Sequence, residues 1–179
     1  MVSIFSTRML KIGDNLSLND KVIQKFELAL KKLCLNLAKQ IVLDGEGAKK
    51  FLTISVINAK SLGSAKKIAF SIANSPLVKT AVAGEDPNWG RIIMGIGKSG
   101  EIVDIKKLKL KIGNIIVAEN GRISESYDEE KLKEYMKWDS VEIEVNLKLG
   151  NDAFKCFTCD FTHDYIDINA DYRLSLIHI

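Results

Sequence analysis

Between residues 22 and 57 the apolar residues change their spacing, and the change restricts the fold class sharply. Val22, Ile23, Phe26, Leu30, Leu33, Leu37 and Ile41 recur three and four apart, as on one face of a helix, with Asn19 or Asp20 placed to cap it. Phe51 to Ile57 then alternates Leu52, Ile54 and Val56 with Thr53 and Ser55, the repeat of a strand. Helix and strand joined through the turn-rich stretch LDGEGAKK are the start of an α/β arrangement.

The alternation continues. Ser61 or Ser64 opens a second helix with Ala65, Ile68, Ala69 and Ile72 on one face, and Pro76 is expected to end it. Leu77 to Ala83 is apolar and β-branched and reads as a buried strand; Trp89 to Ile96 reads as a short helix closed by Gly97 and Gly100. Beyond Gly100 short strands are expected at Ile102–Ile105, Leu108–Ile112 and Ile115–Glu119, broken at Gly113 and at Asn120-Gly121 in the manner of hairpins. Asp128 to Lys137 reads as a helix with acids early and lysines late, followed by strands at Val141–Leu149, Ala153–Phe161 and Tyr165–Asn169. The expectation is a mixed α/β domain over residues 1–173, helix and strand alternating in its first half and short strands prevailing in its second.

Composition excludes several classes. With 46% apolar and 27% charged residues among 179, the chain has the balance of a folded protein. A net charge of +3 with interspersed signs gives no reason to expect nucleic acid. In KKLKLK (Lys106–Lys111) the alternation puts lysines on a solvated strand face and leucines on the other. No run approaches the ~18–20 apolar residues of a membrane span, and the opening residues lack a secretory pattern, which leaves a cytoplasmic address by elimination. Three cysteines do not make a disulfide framework. Cys156 and Cys159 could be taken for a redox or zinc half-site, but residues three apart in a strand point to opposite faces, and no second pair stands at ligand spacing; no metal site is expected.

The candidate sites are few. Gly97-Lys98-Ser99 ends like a phosphate-binding loop, yet Ile92 occupies the position where that loop needs its first glycine, so a helix end is the better reading. Both prolines and one tryptophan fall in NSPLVKTAVAGEDPNWGRI, where Glu85 and Asp86 have Arg91 close by as an ion-pair partner and Asp86 or Asn88 can cap the next helix. A structural reading and a substrate or interface reading stand side by side there. Glu46, between Gly45 and Gly47, projects a carboxylate from a loop whose glycines allow close backbone approach; alone it is first a surface turn, and beyond that a place where an ammonium group could dock. No Ser/His/Asp or Cys/His centre can be traced, with His163 and His178 both near the end.

Four stretches in order, DGEGAKKF, IANSPLVKTAVAGEDPNWGRIIMGIGKSG, FKCFTCDFTHDY and INADYR, resemble the C-terminal, or beta, part of the bifunctional glutamate N-acetyltransferase (ornithine acetyltransferase) of arginine biosynthesis. The resemblance implies a precursor that cuts itself before a threonine, giving alpha and beta chains that assemble in pairs, two of each. It further implies that this threonine carries an acetyl group from N-acetylornithine to glutamate, with no bound cofactor and with acetyl-CoA a further acetyl donor in some members. Glu46 corresponds to a glutamate that binds the amino acid's ammonium group, and Asn169 to an asparagine that holds the substrate from the C-terminal segment.

The departures are equally definite. The cleavage-site pattern is absent and Thr7 lacks its context, so no catalytic residue is expected in this chain, which alone should be inactive. Leu174 replaces the hydroxyl residue usual shortly after the final arginine, and residues 174–179 read as a non-native or diverged tail. The alternative to the enzyme reading is a truncated relative that serves as a noncatalytic interaction domain.

Overall fold

A computed structural model describes residues 21–170; the expected caps Asn19 and Asp20, Thr7 and the 174–179 tail lie outside them. The chain divides into two compact units, residues 1–38 and 39–179. The division falls within helix α1 (Lys21–Leu43), which has the expected apolar repeat but buries none of its residues, leaving Val22, Phe26, Leu33 and Ile41 more than half exposed.

In the second unit the elements run β1 (Phe51–Ala59), α2 (Leu62–Ala73), α3 (Pro76–Ala83), α4 (Trp89–Lys98), β2 (Lys109–Ile112), β3 (Ile115–Glu119), β4 (Arg122–Ile123), α5 (Glu129–Met136), β5 (Ser140–Asn146), β6 (Asp152–Cys159) and α6 (His163–Ala170). The strands form one mixed sheet in the order β4-β3-β2-β5-β1-β6, with β1 and β5 parallel and every other neighbouring pair antiparallel. Register decides which face is buried. Ile54 stands opposite Ile143 and Cys156, and Val56 opposite Val145, so Leu52, Ile54, Val56, Val141, Ile143 and Val145 lie in the core with Ile68 and Ile72 of α2 and Ile92 and Ile96 of α4. Burying one such side chain contributes roughly 1.5–3 kcal/mol, which makes this face the main source of stability.

The lysine-leucine alternation behaves as read: Leu108 and Leu110 are buried, while Lys109 and Lys111 reach Glu119 and Glu144 at 3.8 and 3.5 Å. The turn between β3 and β4 places Asn120 and Gly121 at φ 54° and 78°, two consecutive left-handed residues that match the twist of a tight hairpin. The cysteine pair also follows its strand. Cys156 is buried on the core face, and Cys159, opposite Phe51, is on the other.

Five expectations are corrected. Leu77–Ala83 is helical because Ser75 caps α3 by accepting from the Val78 amide at 3.4 Å and Pro76 sits in the first turn, where its missing N–H costs nothing; Val78, Ala81 and Val82 then share the buried face. Pro76 therefore starts a helix, and the preceding one has already ended at Ala73. Ile102–Ile105 forms no strand: Asp104 turns the chain by accepting from the Lys106 amide at 3.0 Å, leaving Ile102 and Ile105 mostly exposed. Tyr165–Asn169 is part of helix α6, whose first turn carries Asp164 where the helix dipole favours an acid. Arg91 does not pair with the acids beside it; its guanidinium donates to the Leu77 carbonyl at 2.9 Å and to Thr80 Oγ1 at 3.2 Å, bracing α4 against α3.

Glu85 instead meets Lys50. The Lys50 side chain is 8% exposed and its Nζ donates to the Met136 carbonyl at 2.8 Å, the Trp138 carbonyl at 3.3 Å and Glu85 Oε1 at 3.2 Å. One ammonium thus joins the start of β1, the end of α5 and the GEDPN turn. Replacing Lys50 by Met keeps the volume but strands these acceptors, and should lower unfolding free energy by about 1–3 kcal/mol in denaturant titration; unchanged stability would contradict this role. Burial pushes the Cys156 thiol up to about 11. At pH 8 roughly one molecule in a thousand then carries its thiolate, so alkylation of the native protein should modify exposed Cys34 and spare Cys156, as peptide mass spectrometry would reveal, whereas equal labelling would contradict the burial.

Candidate functional site

The loop after α1 is held by a buried carboxylate. Asp160, 3% exposed, accepts the Lys49 and Lys50 amides at 2.9 and 3.0 Å through Oδ1, and its own amide donates to the Lys50 carbonyl at 3.1 Å. Oδ2 of Asp160 is buried with no hydrogen-bond partner among the described residues. Charge-assisted bonds to backbone amides are worth about 1.5–3 kcal/mol each, enough to fix residues 44–50 against the end of β6.

Helix α6 docks onto the same loop. Thr162 Oγ1 donates to the Gly47 carbonyl at 2.6 Å, Lys49 pairs with Asp164 at 2.8 Å, and the rings of Phe161 and Tyr165 meet edge to face at 4.6 Å. The hydrogen bond from Lys49, and then its charge, hold the Asp164 carboxyl below its usual range, and Asp164 raises Lys49 in return; both are solvent-exposed, which screens the pair. Gly47, at φ +69°, explains the second glycine of DGEGA. A Cβ there would lie 2.5 Å from the Tyr165 amide nitrogen, so the close approach that this glycine permits is to α6 itself.

This docking brings together the two residues singled out in the sequence. Asn169 Nδ2 donates to Glu46 Oε2 at 3.0 Å and to the Tyr165 carbonyl at 2.9 Å. With both amide hydrogens committed, the side-chain carbonyl oxygen is what Asn169 offers a ligand. Glu46 is exposed at the wall of a cleft of about 310 Å³, bordered also by Gly45, Pro76, Lys79, Cys159 and Phe161. A second hollow of about 430 Å³ lies across Phe161 and Thr162, with His163 in its wall.

The sequence reading passed over Asp160 and Lys79. Asp160 follows immediately on a strand and could have been suspected as its terminator; Lys79 became visible only when its segment proved helical. Cys156 and Cys159 do not converge, being on opposite sheet faces, and Glu85, Asp86 and Arg91 are engaged in holding the α3–α4 turn, where Asn88 Nδ2 also donates to Asp86 Oδ2 at 3.2 Å. No helix among the described residues is long and apolar enough to cross a membrane.

Comparison with known proteins identifies the family. Residues 1–174 match the model of the ArgJ family. The chain is 48% identical over 173 residues to the arginine biosynthesis bifunctional protein ArgJ of Gluconobacter oxydans, covering 97% of this chain and 41% of that protein. It is 52% identical over 149 residues to the protein of the same name in Ruegeria pomeroyi, covering 83% and 36% respectively. The crystal structure of the arginine biosynthesis bifunctional protein argJ from Bacillus halodurans superposes with a TM-score of 0.84 at 40% identity, over 89% of this chain and 75% of that one. The chain therefore spans about two fifths of the length of the curated relatives it matches. In sequence and in fold, the chain belongs to the ArgJ family.

Proposed function

We propose that this chain is the substrate-binding, C-terminal portion of an acetyltransferase of arginine biosynthesis that moves an acetyl group from N-acetylornithine to glutamate. A threonine hydroxyl at the start of the beta chain, freed when the precursor is cut before it and upstream of the residues present here, attacks the acetyl carbonyl; the C–N bond breaks, the proton passes to the departing amine, and ornithine leaves. The glutamate amine then attacks the threonine ester, and the hydroxyl recovers its proton as acetylglutamate departs. Amide donors outside this chain stabilise the oxyanion of each step. The working assembly is two alpha and two beta chains in the cytoplasm, without a bound cofactor, and acetyl-CoA is a further acetyl donor to be tried.

The observation that carries the reading is the 3.0 Å contact between Glu46 and Asn169, residues far apart in sequence that a single docking brings together beside the cleft that Glu46 borders. A carboxylate and an amide carbonyl side by side are two acceptors, which suits an ammonium donor. The resemblance independently gives these two positions to substrate. The rival reading, a noncatalytic interaction domain, offers no reason for two acceptors to be presented together at a cleft.

In the enzyme completed with its upstream part, Glu46→Ala should lower kcat/KM for ornithine, in the reverse reaction, and for glutamate by about tenfold or more, the worth of an ionic hydrogen bond, while the 179-residue chain alone should show no transfer. Wild-type kinetics in the variant, or turnover by the lone chain, would overturn this assignment.

A further inference from the structure

We propose that Lys79 binds the α-carboxylate of the free amino acids that leave and enter the site, ornithine and glutamate, so that the cleft recognises both charged ends of an amino-acid head group. The inference rests on the reading of Glu46 above and extends it to a second residue of the same cleft that the resemblance left without a role.

Lys79 stands on α3 with its side chain half-buried in the cleft wall. Its Nζ lies 3.8 Å from Cys159 Sγ and 5.7 Å from the centre of the Phe161 ring, and both residues border the same cleft. A thiol and an aromatic face hold an ammonium in place without neutralising it. Among the described residues Lys79 has no carboxylate within ion-pair distance, whereas its neighbours in the site, Lys49 and Lys50, are paired with Asp164 and Glu85. Asp160 also borders the cleft, but one of its oxygens is committed to two backbone amides and the other is shut off from solvent.

A partly desolvated cation without a counter-ion favours the arrival of an anion. The first turn of α3, with Pro76 in the wall, adds the positive end of a helix dipole to the same side. Glu46 borders the same cleft, and the Asn169 carbonyl beside it adds a second acceptor. Acceptors and a lone ammonium at one cleft of about 310 Å³ match a zwitterion, and the volume falls within the roughly 300–1,000 Å³ range of small-molecule sites.

The test compares L-ornithine with putrescine, the same diamine without the carboxylate, by isothermal titration calorimetry on the completed enzyme. Wild type should favour ornithine by about tenfold or more, the scale of a charge-assisted contact. Lys79→Met, which keeps the stem against Phe161, should lose most of that preference by weakening ornithine alone, and Lys79→Arg should retain it. Glu46→Gln should weaken both diamines together, since each brings an ammonium. A Lys79→Met protein that keeps the wild-type preference, or a wild type without one, overturns the proposal. A preference abolished by Lys79→Met while Glu46→Gln leaves both affinities unchanged would support the carboxylate contact and remove Glu46 from the ammonium site, so the two assignments fail separately.

Discussion

The site depends on one buried carboxylate. Asp160 gathers the amides of Lys49 and Lys50 at the point where β6 ends, and everything that follows in space is referred to that tie. It sets the height of the DGEGA loop over the sheet edge, and Gly47 then lets the chain of α6 pass within a distance that no side chain would allow. Asn169 reaches Glu46 because the loop and the segment carrying the helix are fastened by two other contacts, Thr162 to Gly47 and Asp164 to Lys49. A carboxylate placed so deeply is costly to desolvate, and its hydrogen bonds to consecutive amides are what make the position tolerable.

Lys50 carries the same connection inward. Its backbone belongs to the Asp160 tie and its ammonium to the end of α5 and the GEDPN turn, so the substrate cleft and the most densely punctuated part of the sequence are joined through one residue. The turn itself holds Glu85 at φ 56°, a strained conformation for a residue with a side chain, sustained by the contacts around it. The concentration of proline, acid and indole in that segment thus has a structural account: it is the joint between two short helices, closed by Arg91 on one side and Lys50 on the other.

Much of this was legible before any coordinates. The periods of three to four and of two located α1, α2, α4, α5 and most strands, because those segments have one buried and one exposed face and the pattern records it. It failed where burial is not one-sided or where local chemistry overrides propensity. Leu77–Ala83 is apolar enough to pass for a strand, but the Ser-Pro pair before it dictates a helix start. Residues 163–170 bury nothing in α6 and so left no periodic trace, and Ile102 and Ile105 are apolar yet exposed around an aspartate turn. Within the site, Glu46 and Asn169 were found through motifs, whereas Lys79 and Asp160 acquire meaning only from a cleft built by segments about eighty residues apart in sequence.

The most direct test is a crystal structure of the completed enzyme with ornithine bound. The account predicts an ammonium group within about 3 Å of Glu46 and of the Asn169 side-chain oxygen, with the carboxylate at Lys79. Ornithine seated against other residues, with the Glu46–Asn169 contact intact and open to solvent, would contradict it.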